Sequence, residues 1–125
     1  MADNVTSTLL ERMGIVLHYV TANSATGSMP VAGNTQPQGL LHGGASAVLA
    51  ETLASAAAAT HAGPGRRAVG IELSISHHRS VTTGSVTGRA TAVRLGEQLA
   101  AYEIAITNQD GQRVASARLT AMIID

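Results

Sequence analysis

Residues 36–55 have the sequence QPQGLLHGGASAVLAETLAS, in which a turn leads into a long helix. Proline and glycine favour a turn that ends near His42, whereas residues 45–59 contain neither and are rich in Ala and Leu. The following HAGPG, residues 61–65, ends the helix because it places a histidine in the last turn before residues that cannot continue it. We therefore predict a helix from about Gly43 to His61.

Glu51 is the only acidic residue between Glu11 and Glu72, and it lies in the middle of this helix. Residues three and four apart are neighbours on a helix, so Glu51 and Ser55 can serve one site. A solvent-facing position would also explain Glu51. The many small residues around it nevertheless indicate a closely packed helix, and carboxylates are seldom buried without a partner or a purpose.

The start of the helix offers a second chemical feature, because its first backbone N–H groups have no partner within the helix and can stabilise an anion. Gly43 and Glu51 are separated by eight residues, or roughly 12 Å along the axis at about 1.5 Å per residue. A single reacting carbonyl cannot touch both. If both act on it, the carboxylate must come from a second copy packed antiparallel to the first. The pattern thus predicts a homodimer with two shared sites.

The rest of the chain is mostly extended in character. A short lead-in helix is predicted over residues 6–13, with Thr6 or Ser7 as its cap. Apolar residues alternate with polar ones over residues 71–77, the period of a half-buried strand. The other strands are predicted over residues 15–21, 24–30, 86–95, 99–107 and 113–124, with turns at Gly96 and at residues 108–111. The economical assembly is an α+β fold of one domain, residues 1–125, with an antiparallel sheet around one long helix.

Composition excludes several classes of protein. The chain of 125 residues has no Cys, and all eight of its basic residues are Arg, which removes thiolate nucleophiles, zinc-thiolate sites, Schiff-base lysines and P-loops. Eight acidic residues balance the arginines, and only two residues are aromatic, which argues against nucleic-acid binding. The sequence has neither a signal-peptide pattern nor an apolar run long enough for a bilayer, so we expect a cytoplasmic protein without a membrane partner.

The ordered set of motifs resembles the hotdog-fold acyl-CoA thioesterases, a large superfamily that also includes phenylacetate-pathway thioesterases. Within it, the match is to the branch of the Arthrobacter-type 4-hydroxybenzoyl-CoA and the 1,4-dihydroxy-2-naphthoyl-CoA thioesterases. Likeness runs from about Gly14 to the C-terminus, through Gln36…His42-Gly43-Gly44…Glu51…Ser55, then residues 69–79, 84–90 and 113–120. The glutamate favours this branch over the phenylacetate-pathway branch, which usually has Asp. Ser80 departs from the common Pro.

The resemblance implies hydrolysis of an aryl- or medium-chain acyl-CoA, with coenzyme A as part of the substrate and no separate cofactor. The Gly43 N–H would stabilise the oxyanion, beside Gln36 and His42, and Glu51 would attack the carbonyl or activate water. Ser55 would position the water or the carboxylate. The acyl group and the choice between the two routes stay open.

The resemblance also implies a coenzyme A site and an assembly. The residues expected to contact the nucleotide and pantetheine are Gly70, His77, His78, Arg79, Ser80, Arg94, Leu95, Gly96, Glu97, Gln98 and Leu99. Arginine suits phosphate because its guanidinium offers forked charged donors. The minimal active unit would be a homodimer, and two dimers would form a homotetramer through either their helices or their sheets.

Each of these residues also has an ordinary structural interpretation. His42 can be a capping residue, Gly43 a turn residue, Gln36 a loop residue and Arg79 a solvated strand end. A shared metal ion at His77 and His78 is disfavoured, because adjacent strand residues point to opposite faces.

Two other functions remain open at this point. A hotdog dehydratase or hydratase would use a histidine and an acid on the β-carbon of an acyl thioester. A non-catalytic acyl-CoA-binding protein would retain the pocket without turnover.

Overall fold

The computed structural model describes residues 8–125 of the chain. Two helices and six strands follow each other in the order α1, β1, β2, α2, β3, β4, β5, β6. Their bounds are α1 Leu9–Met13, β1 Val16–Val20, β2 Ser24–Pro30, α2 Gly43–Ala62, β3 Arg67–His77, β4 Ser85–Leu95, β5 Leu99–Thr107 and β6 Arg113–Ile124. The prediction of an antiparallel sheet around one long helix is confirmed.

One antiparallel sheet contains all six strands, in the order β1-β2-β4-β5-β6-β3. The long helix α2 packs across one face of this sheet and buries eight residues against it: Ala45, Ser46, Leu49, Ala50, Leu53, Ala54, Ala57 and Ala58. Because β3 is the last strand of the sheet, one of its edges is unpaired within the described chain. Glu51 lies on the part of α2 that does not pack into the core, and it is exposed in the single chain.

Glycine allows the helix to lie close to the sheet. Gly27 of β2 and Gly88 of β4 are paired in the ladder. A Cβ on Gly27 would lie 2.9 Å from Cδ2 of Leu53, and a Cβ on Gly88 would lie 2.6 Å from Cδ1 of the same leucine. Side chains at these two positions would push α2 off the sheet, since protein interiors have no spare volume for them.

The predicted bounds of the long helix and of most strands agree with the structure to within one or two residues. Residues 6 and 7, predicted to begin and cap α1, lie outside the described residues. The N-cap is Thr8, whose side chain accepts a hydrogen bond from the N–H of Glu11. Strand β3 begins at Arg67, four residues before the predicted alternation.

The predicted alternation in β3 is wrong at Ile71. A bulge between Gly70 and Glu72 shifts the register against β6, so that Ile71 is 51% exposed instead of lying on the inner face with Leu73 and Ile75. A bulge inserts one unpaired residue and reverses the alternation on its two sides. Gly70, before the bulge, lies beside Glu51 of α2, whereas His77, after the bulge, lies beside Gly43.

Tyr102 on β5 is buried, and its hydroxyl donates a 2.6 Å hydrogen bond to the carbonyl oxygen of Ala22. Burial raises the pKa of Tyr102 from 10.0 to about 12. The chain has no Lys or Cys, and its other tyrosine, Tyr19, is exposed. Tyr102 is therefore the buried side chain whose titration matters at alkaline pH.

We expect this tyrosine to make folding sensitive to alkali. The pKa of Tyr102 is higher in the folded state than in the unfolded state. Its contribution to the free energy of unfolding is therefore complete below about pH 10 and is lost as pH rises towards about 12. Tyr102→Phe should cost about 1 kcal/mol near neutrality through the lost hydrogen bond. It should also flatten the decline of the free energy of unfolding above about pH 10. Urea unfolding of both proteins across this range measures the effect, and equal declines would contradict the assignment.

Candidate active site

His42 caps the start of α2. Its backbone is extended, with φ −68° and ψ 130°, and its Nδ1 accepts a 2.8 Å hydrogen bond from the N–H of Gly44. An Nδ1 that accepts a hydrogen bond carries no proton, so the neutral ring has its proton on Nε2. His42 therefore caps the helix, as its sequence position allows. Its Nε2–H remains able to donate to another partner.

The N–H of Gly43, the first residue of α2, has no acceptor among residues 8–125. The next donors are occupied: the Gly44 N–H bonds the His42 ring, and the N–H groups of Ala45 and Ser46 bond the His42 carbonyl. The helix dipole adds positive potential at this end. One free amide donor is thereby isolated at the place where the sequence predicted an oxyanion site.

His77, the last residue of β3, lies against this amide. A Cβ on Gly43 would lie 2.8 Å from Nε2 and 3.0 Å from Cε1 of the His77 ring. Glycine at position 43 therefore lets the imidazole approach the helix start, and the requirement is for space, since its φ is not positive. Nε2 of the next residue, His78, lies 3.0 Å from Oγ of Ser116.

Gln36 organises the loop before the helix. Its Oε1 accepts hydrogen bonds from the N–H of Gln38 at 2.5 Å and of Leu40 at 3.2 Å. Its amide oxygen is therefore engaged within the loop, and only its Nε2 can donate towards a ligand, although it also lies 3.3 Å from Oε1 of Gln38. Gln36 therefore has a structural role in the loop, and its Nε2 can still contact a substrate.

Gln36, Gly43 and His77 share one cavity of about 440 Å³ at the start of α2, and His42 does not line it. The cavity brings together most of the residues predicted around the carbonyl and one part of the predicted coenzyme A site. Its lining is Gln36, Leu40, Leu41, Gly43, Ser46, His77, His78, Arg79, Ser80 and Val114.

Glu51 lies outside that cavity and is exposed in the single chain. Its Oε2 lies 3.0 Å from the position that a Cβ on Gly70 would occupy, so the absent side chain of Gly70 makes room for the carboxylate. Within residues 8–125, no hydrogen bond or ion pair holds Glu51. The small helix residues around it do not bury it in its own chain. A second chain would have to cover this face.

An apolar pocket of about 550 Å³ adjoins the carboxylate. It lies between α1, β1 and the exposed face of α2, and it includes Ser55, one helical turn from Glu51. Its lining is Leu9, Leu10, Leu17, Val48, Glu51, Thr52, Ser55 and Ala56. Glu51 and Ser55 lie on one face, as helical spacing predicts, whereas the leucines of α1 and β1 were not predicted. The helical spacing of Leu9, Leu10 and Met13 is the sequence feature that could have indicated that α1 lies at this pocket.

The turn between β4 and β5 lies at the other end of α2, where Nε2 of His61 is 2.7 Å from the carbonyl oxygen of Gly96. A polar cavity of about 750 Å³ opens beside this turn, lined by Arg94, Gly96, Glu97, Gln98, Leu99, Ala101 and Thr120. Leu95 lines a smaller neighbouring cavity with His61 and Arg66. The eleven residues predicted to bind coenzyme A therefore fall in three places: with Gly43, beside Glu51, and at this turn.

Two further properties of the described part of the chain bear on the site. Between residues 8 and 125, no group of three or more His, Asp or Glu side chains could hold a metal ion. Over the same range, no helix is long and apolar enough to cross a membrane.

A six-stranded antiparallel sheet around one long central helix defines a protein of the hotdog fold. Residues 38–115 match the thioesterase superfamily, which is more than half of the chain, and the protein belongs to that family. It is therefore a thioesterase.

Similar proteins carry the same description. A proofreading thioesterase, EntH, of Cronobacter sakazakii is 44% identical over 126 residues, covering 98% of this chain and 92% of the relative. A solved thioesterase of Haemophilus influenzae superposes with a TM-score of 0.92 at 31% identity, covering 98% of this chain and 87% of the other. A mutant thioesterase of Pseudomonas aeruginosa gives a TM-score of 0.92 at 35% identity, covering 98% and 89%.

Proposed function

We propose that this protein hydrolyses the thioester of an acyl-CoA at a site shared between two subunits. The observation that carries the proposal is the Gly43 N–H, which has no acceptor among residues 8–125 although the neighbouring amides do. A thioester carbonyl oxygen placed there would accept from this N–H, and Gln36, which lines the same cavity, would orient the carbonyl. The hydrogen bond from the N–H strengthens as the oxygen becomes an oxyanion, so it stabilises the transition state more than the substrate.

Glu51 of the partner subunit supplies the attacking group. In one route its carboxylate takes a proton from water, and the hydroxide adds to the carbonyl carbon. In the other route the carboxylate itself adds and forms a mixed anhydride, which water then hydrolyses. In both routes the tetrahedral intermediate collapses with cleavage of the C–S bond, and the electron pair leaves on the coenzyme A thiolate. Ser55, one turn along, is placed to hold the water or the carboxylate.

The contacts of β3 support such a pairing. This strand carries Gly70 beside Glu51 and His77 beside Gly43, and it is an unpaired edge of the sheet. If two copies of β3 pair antiparallel about a two-fold axis between Leu73 and Ser74, Gly70 faces His77 of the partner subunit. The Glu51 carboxylate of each chain then comes to the helix start of the other, and an edge with unsatisfied N–H and C=O groups is covered.

The coenzyme A contacts fit the same arrangement. Helix α2 has 20 residues and is roughly 30 Å long at about 1.5 Å per residue, so it separates Arg79 from Arg94 in one chain. Antiparallel helices bring the end of one next to the start of the other. One substrate could then lie between residues 77–80 of the chain that binds its carbonyl and residues 94–99 of the partner.

The apolar pocket beside Glu51 is suited to the acyl group. No arginine or histidine lines it, so an acyl chain that ends in a carboxylate would find no counter-ion there. We propose an uncharged aryl or medium-chain acyl group. A pocket of aliphatic side chains tolerates several such groups, which agrees with the word proofreading in the name of the Cronobacter relative.

Two dimers forming a homotetramer and a cytoplasmic location complete the proposal. Coenzyme A thioesters are made and used inside cells, and the proposed enzyme would act on that pool.

Release of free thiol from benzoyl-CoA and octanoyl-CoA tests the activity. We expect turnover of both, and much slower turnover of glutaryl-CoA, whose acyl chain is charged. Water added to an enoyl-CoA without thiol release would instead indicate a hydratase. That outcome is disfavoured because His42 uses Nδ1 for capping and carries its proton on Nε2. Tight binding of these esters without any turnover would indicate a binding protein and contradict the proposal.

Subunit mixing tests the shared site. We expect a Glu51→Ala variant and a Gly43→Pro variant to be inactive alone, and to recover activity when unfolded together and refolded. Half of randomly paired dimers contain both variants, and each of these has one intact site of two, so about a quarter of wild-type activity is expected. A site within one chain would give no recovery, because every site would then keep one defect.

A further inference from the structure

Ser46, near the start of α2, is one of two polar residues that are buried among residues 8–125. The other, Asn34, donates two hydrogen bonds of 2.8 Å from its side-chain amide, to the carbonyl oxygens of Met13 and Pro30. The Ser46 hydroxyl has no hydrogen-bond partner in the same range. Because burial of an unpaired hydroxyl is unfavourable, this exception among the buried polar groups needs an explanation.

The backbone of the helix does not supply the missing partner. A serine or threonine inside a helix can donate to the carbonyl oxygen four residues earlier, as Thr60 does to Ala56 at 3.1 Å near the other end of α2. For Ser46 that acceptor is the carbonyl oxygen of His42. It already accepts from the N–H groups of Ala45 and Ser46, at 2.9 and 3.3 Å. The Ser46 hydroxyl is therefore left for a group outside the helix.

This hydroxyl faces the cavity at the start of α2. Ser46 is 1% exposed, and it lines the cavity of about 440 Å³ together with Gly43 and Gln36. No fully enclosed side-chain oxygen or nitrogen between residues 8 and 125 lacks a hydrogen-bond partner. The unpartnered Ser46 oxygen is therefore not enclosed, so the small exposed area of the residue includes it. The cavity is the open space that this oxygen meets.

Helix geometry places the hydroxyl within reach of the atom that the Gly43 N–H would bind. Ser46 and Gly43 are three residues apart, so their side-chain positions are about 5–6 Å apart on one face of the helix. Cα–Cβ bonds in a helix tilt towards its N-terminus, which brings the Ser46 side chain back towards the free amide. An oxygen that accepts two hydrogen bonds of about 2.9 Å can lie between donor atoms up to roughly 5.8 Å apart. One carbonyl oxygen can therefore accept from both groups.

We propose that the Ser46 hydroxyl is a second donor to the thioester carbonyl oxygen, beside the Gly43 N–H. This role rests on the proposed hydrolysis of acyl-CoA. When the attacking oxygen adds to the carbonyl carbon, the π electrons of the C=O bond move to the carbonyl oxygen. The hydroxyl keeps its proton and donates to that oxygen, and the hydrogen bond strengthens as negative charge develops. Ser46 is thus a catalytic residue, because it touches a reacting atom.

The substitution Ser46→Ala tests this role. We expect kcat for octanoyl-CoA to fall by about a hundredfold, the lower end of the effect of removing one oxyanion donor, with KM changed by less than about threefold. The thermal midpoint should stay at or above the wild-type value, because the lost hydroxyl has no partner and alanine favours a helix more than serine does. A purely structural hydroxyl would give the opposite results, lower stability at unchanged kcat. Thiol release and thermal unfolding measure the two quantities.

Two further variants complete the experiment. Ser46→Thr keeps the hydroxyl and adds one methyl group, so its kcat should lie at least about tenfold above that of Ser46→Ala. Thr60→Ala removes a hydroxyl from an exposed position near the other end of α2 and should keep the wild-type kcat and KM.

Three outcomes would overturn the role of Ser46. They are an unchanged kcat in Ser46→Ala, a rise in its KM alone, which would place the hydroxyl on the pantetheine, and equal losses in Ser46→Thr and Ser46→Ala at wild-type stability. If the folded wild-type protein releases no thiol from octanoyl-CoA, the proposed function itself fails.

Discussion

Replacing Glu51 by alanine is expected to lower kcat by about a thousandfold while changing KM by less than about threefold. A positioned carboxylate that acts as base or nucleophile contributes roughly 10²–10⁴ in rate, and its removal leaves the oxyanion donors and the binding surfaces intact. Stability should be nearly unaffected, because Glu51 is exposed and makes no hydrogen bond or ion pair within residues 8–125. Steady-state thiol release and thermal unfolding measure the two quantities.

Asp110→Ala is the matched control for this substitution. It removes the same charge from an exposed position in the β5–β6 turn, outside the cavities that Gly43 and Glu51 line. We expect wild-type kcat and KM. If Glu51→Ala also retains full turnover, the carboxylate takes no part in the chemistry and the proposal of a shared catalytic site fails.

Gly43→Pro is expected to lower kcat by about 10²–10³-fold, the usual effect of removing one oxyanion donor. Proline has no N–H, yet it is favoured at the first position of a helix, where the amide has no intrahelical partner. The extended backbone of His42, with ψ 130°, also suits a residue that precedes proline. The substitution therefore deletes the donor without breaking α2.

Gly43→Ala distinguishes the effect of losing the N–H from the effect of adding a side chain. Both substitutions add a Cβ that would lie 2.8 Å from Nε2 of His77, but alanine keeps the N–H. The His77 ring is the far end of a side chain and can move aside, so we expect Gly43→Ala to lose at most about tenfold in kcat. Equal activities for the alanine and proline variants, at equal thermal stability, would show that the Gly43 amide does not stabilise the oxyanion.

The predicted and observed structures agree where local patterns dominate. Helix α2 begins at Gly43 as predicted, because glycine, proline and the histidine cap act within a few residues of each other. Strands β4, β5 and β6 were also predicted within one residue, since each alternates and is bounded by turn residues. Glu51 and Ser55 were placed on one face by helical periodicity alone.

The disagreements occur where residues distant in the sequence meet. The alternation of β3 gave no sign of the bulge that exposes Ile71, because a bulge depends on register against β6. The predicted contacts of Gly70 and His77 with coenzyme A stay predictions. That Gly70 lies beside the Glu51 carboxylate and His77 against Gly43 was not predicted. Sequence spacing does not report such contacts.

The sequence alone determines a long Ala-rich helix whose first amide groups have no partner within the helix. It also determines a carboxylate two turns into that helix and enough strands for one antiparallel sheet. These properties follow from interactions between near neighbours in the chain. Tertiary structure decided which amide stays free, which glycines leave room for Glu51 and His77, and how the β4–β5 turn is anchored. Those features depend on distant segments packed at atomic distances, for which local propensity carries no information.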